Sequence, residues 1–229
     1  MRTIHTKRRL LALPELDSIC LEAAREAERK RIAMEMHDEL GQLLTALRIE
    51  VLLLKQNIAD DLVALQKADE MKRLVDSIMG VVRGVVNHIR PAALDFGIVP
   101  ALEWLADDFR RRTRIPCCLI AVGPEPSLSE LHTVGIFRIV QESLTNISRH
   151  AFASQVEIRL TKSGSRVELI VADNGRGFDM PVRRLGSYGL VGMAERARMM
   201  DAHLKIESRP GNGSVVQLRV QDDSLSADG

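Results

Sequence analysis

Residues 31–58 read RIAMEMHDELGQLLTALRIEVLLLKQNI, and the spacing within this stretch sets the architecture of the first third of the chain. Ala33, Met36, Leu40, Leu43, Leu47, Val51, Leu54 and Ile58 recur at steps of three and four residues, the seam of a coiled coil or helix bundle. Upstream, EAAREAERKR (22–31) alternates charge as a solvated helix face does, so one helix is expected over 20–57. Asn57–Asp61 reads as a short turn. A second seam follows at Met71, Val75, Ile78, Val82, Val85 and Ile89, and Pro91 ends that helix. Two long helices joined by a short turn make an antiparallel hairpin. Each stripe is wider than one partner helix can cover. Two copies are therefore expected to pair as a four-helix bundle, the other reading being that the stripes pack on the rest of the same chain.

Downstream, Leu94–Arg114 has Leu102, Leu105 and Phe109 on one side, as a connector helix docking the first region on the second would. The remainder alternates helix and strand. CCLIAV (117–122), VEIRL (156–160) and VELIVAD (167–173) suit strands, and Glu130–His150 suits a helix. A glycine-rich stretch leads to a helix over Val191–Met200. Leu204–Ser208 and Val215–Val220 form a last hairpin across Pro210–Gly213, and the tail QDDSLSADG is expected to fray. The fold class is α+β: an N-terminal helical hairpin forming a dimeric bundle, then an α/β sandwich with one mixed sheet.

At 229 residues the chain has room for one or two domains of about 150 residues each. Lys and Arg number 32 against 31 Asp and Glu, a net charge of +1, so nothing draws the whole chain to nucleic acid or an anionic membrane. Three cysteines, with Cys117 and Cys118 adjacent and Cys20 alone, fit neither a disulfide framework nor a zinc site. Reduced thiols point to the cytoplasm. No apolar run reaches the ~18 residues of a membrane helix, and the N-terminus has basic residues but a broken apolar stretch, unlike a secretory signal.

Four constellations carry chemistry. On the Glu130–His150 helix, Glu142, Asn146 and His150 step by four residues opposite the stripe of Phe137, Val140, Leu144 and Ile147. A carboxylate, an amide oxygen and an imidazole so stacked can hold hydrated magnesium and polarise phosphate; a merely solvated face has the same look. Asp173-Asn-Gly-Arg-Gly177 places a carboxylate at a strand end, where the glycines let backbone approach a flat ligand; it also fits a plain turn. Gly186-Ser-Tyr-Gly189-Leu-Val-Gly192 precedes a helix and can cradle phosphate, or be only a flexible loop. It matches neither the phosphate-loop nor the dinucleotide pattern. His37-Asp-Glu-Leu-Gly-Gln42 puts His37 at the edge of the bundle seam, with Asp38 and Gln42 four apart on a neighbouring face. Gly41, at a cost of ~1 kcal/mol relative to Ala in a helix, leaves clearance beside His37. Alone, this too reads as an ordinary surface histidine.

Taken together, these stretches resemble a known family. RIAMEMHDELGQ (31–42) resembles the phosphoacceptor box of two-component sensor histidine kinases, in the subfamily related to nitrate/nitrite sensors. IRPAALDFGIVPALEWLADDF (89–109) resembles its connector. FRIVQESLTNISRHA (137–151) is similar to the N box of the GHKL ATP-binding fold, VADNGRGFD (171–179) and GSYGLVGMAERARMM (186–200) to its glycine boxes, and GNGSVVQLRV (211–220) to its final strand. The resemblance spans about residues 25–221, with the boxes in the family's order.

The resemblance implies roles. His37 is the phosphorylated residue, Asp38 accepts its other ring N–H, and Gln42 positions water for dephosphorylation of the partner. Asn146 ligates magnesium, and Glu142 acts through a metal-bound water or as a base. His150 stands where the family has a basic residue near the phosphates. Asp173 takes the adenine amine, Gly175 and Gly177 shape its pocket, and Ser214 supports Asp173 through water. Gly189, Leu190 and Gly192 belong to the ATP lid. It further implies ATP and magnesium as cofactors, a homodimer, and a response regulator's receiver domain as partner. The domains are then a linker (1–24), a dimerisation and phosphoacceptor domain (25–92), an ATP-binding domain (93–221, with 93–114 the connector helix) and a tail (222–229).

Members of this family usually carry an input module, and this sequence has none. It is expected either to be the core of a longer, membrane-bound sensor or to take its signal from another protein. Two rivals share the nucleotide pocket: a GHKL serine kinase or ATPase, which has no use for the His37–Asp38 box, and a regulatory nucleotide-binding dimer, against which intact Glu142, Asn146, Asp173 and His37 all speak.

Overall fold

The computed structural model describes residues 21, 23–58, 61–179 and 188–222. Contacts divide the chain into a helical unit that ends at Pro91 and an α/β unit that begins at Ala92.

In the helical unit the first helix, α1, runs through residues 23–35, a π-helical turn at Met36–Leu40, and Gly41–Asn57. Helix α2 spans Leu62–Ile89. Asp61 caps it: its carboxylate accepts the main-chain N–H groups of Val63 and Ala64 at 3.0 Å, satisfying two donors that the first turn leaves open. At the other end Arg90 is extended, as the residue before a proline prefers, and the helix stops there. Lys55 to Asp69 at 2.5 Å and Arg48 to Asp76 at 3.2 Å tie the two helices together. Among the described residues of the hairpin only Ala33, Val51, Ala68 and Val75 are buried apolar residues, whereas Leu43, Leu47, Leu54, Leu74, Ile78, Val81 and Val85 are exposed.

The α/β unit opens with a 3₁₀ turn, Ala92–Phe96, and helix α3, Ile98–Thr113. Strand β1 is Cys117–Val122. Helix α4, Glu130–Asn146, continues into a second π-helical turn, Ile147–Ala151. Strands β2 (Val156–Ser163) and β3 (Arg166–Asp173), helix α5 (Tyr188–Met199), and strands β4 (His203–Ser208) and β5 (Ser214–Gln221) complete it. The sheet order is β1-β2-β3-β5-β4; β1 and β2 are parallel and every other pair antiparallel, which is the mixed sheet expected. Val156, Ile158 and Leu160 of β2, Val167, Leu169 and Val171 of β3, and Val216, Leu218 and Val220 of β5 alternate onto one face. There they meet Leu102, Leu105 and Phe109 of α3, Ile136, Phe137, Val140 and Leu144 of α4, and Met193 and Ala197 of α5.

Four expectations change. The helix expected over Leu94–Arg114 is broken at Gly97, whose φ of 116° no helix accommodates; the Glu125 carboxylate accepts the Val99 N–H at 3.1 Å and caps the restart. The apolar side of α3 belongs to the α/β core itself. The last helix begins at Tyr188 rather than Val191. Gln221 belongs to β5, and Asp222, expected to fray, is buried with its carboxylate paired to Lys162. Residues 1–20 and 223–229, and the Gly186–Ser187 part of the third glycine-rich stretch, lie outside the described residues.

Candidate functional site

A cavity of about 270 Å³ opens between α4, the end of β3, the start of α5 and the β4–β5 hairpin. Of the residues singled out in the sequence, Asn146, His150, Asp173, Gly177, Leu190 and Ser214 line it. Glu142, Gly175, Gly189 and Gly192 are not among its lining residues.

Asp173 is the last residue of β3, and register sets Ser214 of β5 directly opposite it. One carboxylate oxygen, Oδ1, accepts the Gly175 N–H at 2.8 Å, so the expected turn and the expected acceptor coexist in one side chain. The loop beyond is tightly held. Asn174 Oδ1 accepts the N–H groups of Ser154 and Gln155, both at 2.9 Å, and its amide nitrogen donates to Ser154 Oγ. The Arg176 N–H donates to the Ala151 carbonyl at 2.7 Å. A Cβ on Gly175 would stand 2.3 Å from that same carbonyl, so only glycine lets the loop close on the end of α4. Gly177 takes φ +60° against the Arg209 carbonyl.

On α4, Glu142 and Asn146 lie one turn apart and are half-buried. Neither side chain has a hydrogen-bond or ionic partner among the described residues. His150 lies in the π-helical turn, whose wider i→i+5 spacing carries it off the direct line above Asn146; both still face the cavity. The Glu142 carboxylate instead abuts Gly189, where a Cβ would stand 2.1 Å from Oε1. That close approach explains glycine in the first turn of α5 better than loop freedom does, since Gly189 and Gly192 are both helical.

Sequence reasoning missed Ser143, Ile147, Ala151, Val171, Arg176, Phe178, Met193, Ile206 and Val216, which supply most of the lining. For Ile147, Val171, Met193, Ile206 and Val216 the signal was the core periodicity itself, whereas Arg176 and Phe178 lie in an exposed loop that carries none. Val171, Val216 and Ile206 supply an apolar part of the lining, and Ser143 Oγ joins α4 to Met193 of α5 at 3.7 Å. The guanidinium of Arg176, a lining residue, lies over the exposed Phe152 ring, 4.9 Å from its centroid.

A second cavity, of about 350 Å³, belongs to the helical unit. His37, Asp38, Gly41, Gln42, Leu44 and Thr45 line it from α1, and Met79, Val82, Arg83 and Val86 from α2. His37, Asp38 and Gln42 are exposed. His37 lies in the π-helical turn, where local backbone geometry departs from the regular helix on either side. No hydrogen bond joins its ring to Asp38 among the described residues. A Cβ on Gly41 would meet nothing within 4 Å, so no neighbour among the described residues demands the clearance that this glycine provides. No described helix is long and apolar enough to cross a membrane.

Comparisons with known proteins fall on the same two units. Residues 28–94 match the family model described as histidine kinase, and residues 132–224 match that of the histidine kinase-, DNA gyrase B-, and HSP90-like ATPases. Over 200 residues the chain is 30% identical to the signal transduction histidine-protein kinase/phosphatase DegS of Brevibacillus brevis, covering 86% of this chain and 52% of that protein. Over 204 residues it is 32% identical to the sensor histidine kinase LiaS of Bacillus subtilis (strain 168), covering 84% of this chain and 54% of the relative. The chain thus spans about half the length of the curated relatives it matches. A blue-light activated histidine kinase of Erythrobacter litoralis EL346 superposes with a TM-score of 0.49 at 19% identity, over 74% of this chain and 63% of that one.

Proposed function

The chain belongs to the histidine kinases, with their phosphoacceptor and ATPase domains in tandem, and from that premise we propose that it autophosphorylates His37 from ATP and passes the phosphoryl group to an aspartate of a response regulator. One observation carries the reading: a single cavity with a partly apolar lining draws in Asn146, His150, Asp173, Leu190 and Ser214 from four separate segments. Adenine lies against that apolar lining, with its exocyclic amine donating to the Asp173 oxygen that Gly175 leaves available. Ser214, opposite Asp173, shares the water that completes this edge. His150 sits toward the phosphates.

Magnesium fits the donors present. The unpartnered Asn146 amide and Glu142 carboxylate are hard oxygen ligands, and this ion takes few protein ligands while keeping its waters. Asn146 would bind it directly and Glu142 through water, and its charge would neutralise the phosphate oxygens. Positioning and charge then supply most of the catalysis. In the helical unit Asp38, which is not bonded to the ring in this structure, would accept the N–H of the non-attacking imidazole nitrogen when His37 reacts, leaving the other lone pair for phosphorus. Gln42 orients water when the phosphoaspartate of the partner is hydrolysed, an activity that the name of the Brevibacillus relative carries. The protein acts as a homodimer.

Incubation with γ-labelled ATP and magnesium tests this. Label on the protein is expected to be lost in acid and kept in base, as for phosphohistidine, and to be absent in His37→Gln. That variant should bind ATP as the parent does, because His37 and Asp173 lie in different units. Acid-stable label, or phosphohistidine persisting in His37→Gln, overturns the assignment.

A further inference from the structure

The groove that holds His37 contains a cation for which the sequence reading found no use. Arg83 of α2 lines it opposite His37, Asp38 and Gln42. Arg48, Lys55, Lys67 and Lys72 of the same hairpin each pair with a carboxylate. Arg83 pairs with none among the described residues. Its neighbours at three and four positions along α2 are Met79, Gly80, Val86 and Asn87, so its own helix offers no acid. Around it the backbone is bare: a Cβ on Gly41, Gly80 or Gly84 would meet nothing within 4 Å. A helical glycine costs about 1 kcal/mol relative to alanine, and no neighbour among the described residues requires these three. The groove's 350 Å³ has room for a phosphoryl group with several waters, each of which takes about 30 Å³ in the liquid.

We propose that Arg83 is the phosphoryl-binding residue of the acceptor site, its guanidinium taking the oxygens of the phosphoryl group as His37 receives and releases it. This rests on the reading of His37 as the acceptor. In the forward step the imidazole lone pair forms the N–P bond while the bond from the γ-phosphorus to its bridging oxygen breaks, and ADP leaves with that electron pair. Back-transfer to ADP reverses both bond changes. In either direction charge spreads over the three equatorial oxygens. A planar fork of N–H donors matches two of them at once and gives up no proton, since guanidinium stays charged at any working pH. The sparse surface around Arg83 lets a bulky phosphoryl donor or acceptor approach the groove.

The test needs only this protein, ATP, ADP and magnesium. Labelling rates at saturating ATP, the KM for ATP, and the rate at which ADP removes label from phosphorylated protein are measured for the parent, Arg83→Gln and Arg83→Lys. We expect Arg83→Gln to lose about 10²-fold in both transfer directions, as for removal of a donor aimed at developing charge, with KM unchanged. Arg83→Lys, which keeps the charge without the fork, should recover part of that rate. Equal rates in all three proteins overturn the proposal. So do equally slow Gln and Lys variants with lowered melting temperatures, which would make Arg83 a structural residue. A parent protein that takes no label at all would instead sink the acceptor assignment of His37.

Discussion

Asp173 carries two demands in one side chain, and that makes its replacement predictable. Oδ1 is engaged by the Gly175 N–H, and the second oxygen is the one proposed for the adenine amine. In Asp173→Asn a single carbonyl oxygen must serve either the turn or the ligand, and the amide that fills the other place is a donor facing a donor. ATP affinity should fall about tenfold or more, equivalent to ~1.4 kcal/mol, while the melting temperature without ligand changes little; titration calorimetry reads the first and a thermal melt the second. Gly177, in the loop after β3, and Gly211, in the facing β4–β5 turn, separate strain from clash. Both have positive φ, 60° and 82°, but a Cβ on Gly177 would stand 2.0 Å from the Arg209 carbonyl, whereas one on Gly211 would meet nothing within 4 Å. Gly211→Ala should cost about 1 kcal/mol of backbone strain and leave ATP binding intact; Gly177→Ala should lower both stability and affinity, because Arg209 and the wall beyond it must move. Equal effects of the two substitutions on ATP affinity would disprove this account. At Cys117, burial pushes the thiol up to about 11. Native protein at pH 8 should therefore leave Cys117 unalkylated, and denaturant should expose it, as peptide mass mapping would show.

Among the elements, the hairpin makes its electrostatics legible through pH. The Lys55 ammonium holds the Asp69 carboxyl below its ordinary value of 3.8. Lys72, with Arg48 across the hairpin, does the same for Asp76. A depressed carboxyl contributes stability that is complete above its unfolded value and is lost as pH falls through the lower, folded one. Melting temperatures of the parent and of Asp69→Asn should therefore differ by a constant amount from pH 8 to about 5 and converge below about 4. Both groups are only partly buried and in contact with solvent, so the difference is small and shrinks in salt; one that grows on acidification would reverse the sign of the argument. The helices and strands themselves could be read from periodicity: threes and fours along α1 and α2, alternation along β2, β3 and β5. What escaped the sequence depends on distant partners. Gly97 breaks the expected helix because Glu125, far along the chain, caps its restart. In the sequence Gly189 reads as part of a phosphate-cradling or merely flexible glycine loop, yet it sits in α5, where Glu142 occupies the space of its Cβ. The two π-helical turns, at His37 and at His150, leave no mark on residue spacing, although both coincide with candidate site residues. For the cavity, the polar corners were legible as motifs, while the apolar lining was indistinguishable from ordinary core.

For the molecule as a whole, the deciding asymmetry lies between the two units. The α/β unit covers its sheet with its own helices and buries a contiguous core. The hairpin does not: Leu43, Leu74 and Val81 are 66%, 63% and 64% exposed, and Leu47, Leu54 and Ile78 more than 40%. A bare pair of helices with so much leucine in water would aggregate or unfold, because helical stability in proteins comes mostly from packing an apolar face. A second copy would present the same stripes and could close them by two-fold symmetry into a four-helix bundle. We therefore expect a dimer at micromolar concentration by sedimentation or light scattering. Leu47→Glu combined with Ile78→Glu sets buried, unpaired carboxylates into the proposed interface, at a cost of several kcal/mol. That double variant should be monomeric and should lose helical signal on mild heating, while binding ATP as the parent does through the α/β unit. Neither position lines the His37 groove, so any loss of phosphohistidine must come from the lost bundle and not from a damaged acceptor site. A parent chain that runs as a monomer while keeping full helicity would show that the stripes are covered in some other way, and the two-copy bundle would have to be abandoned.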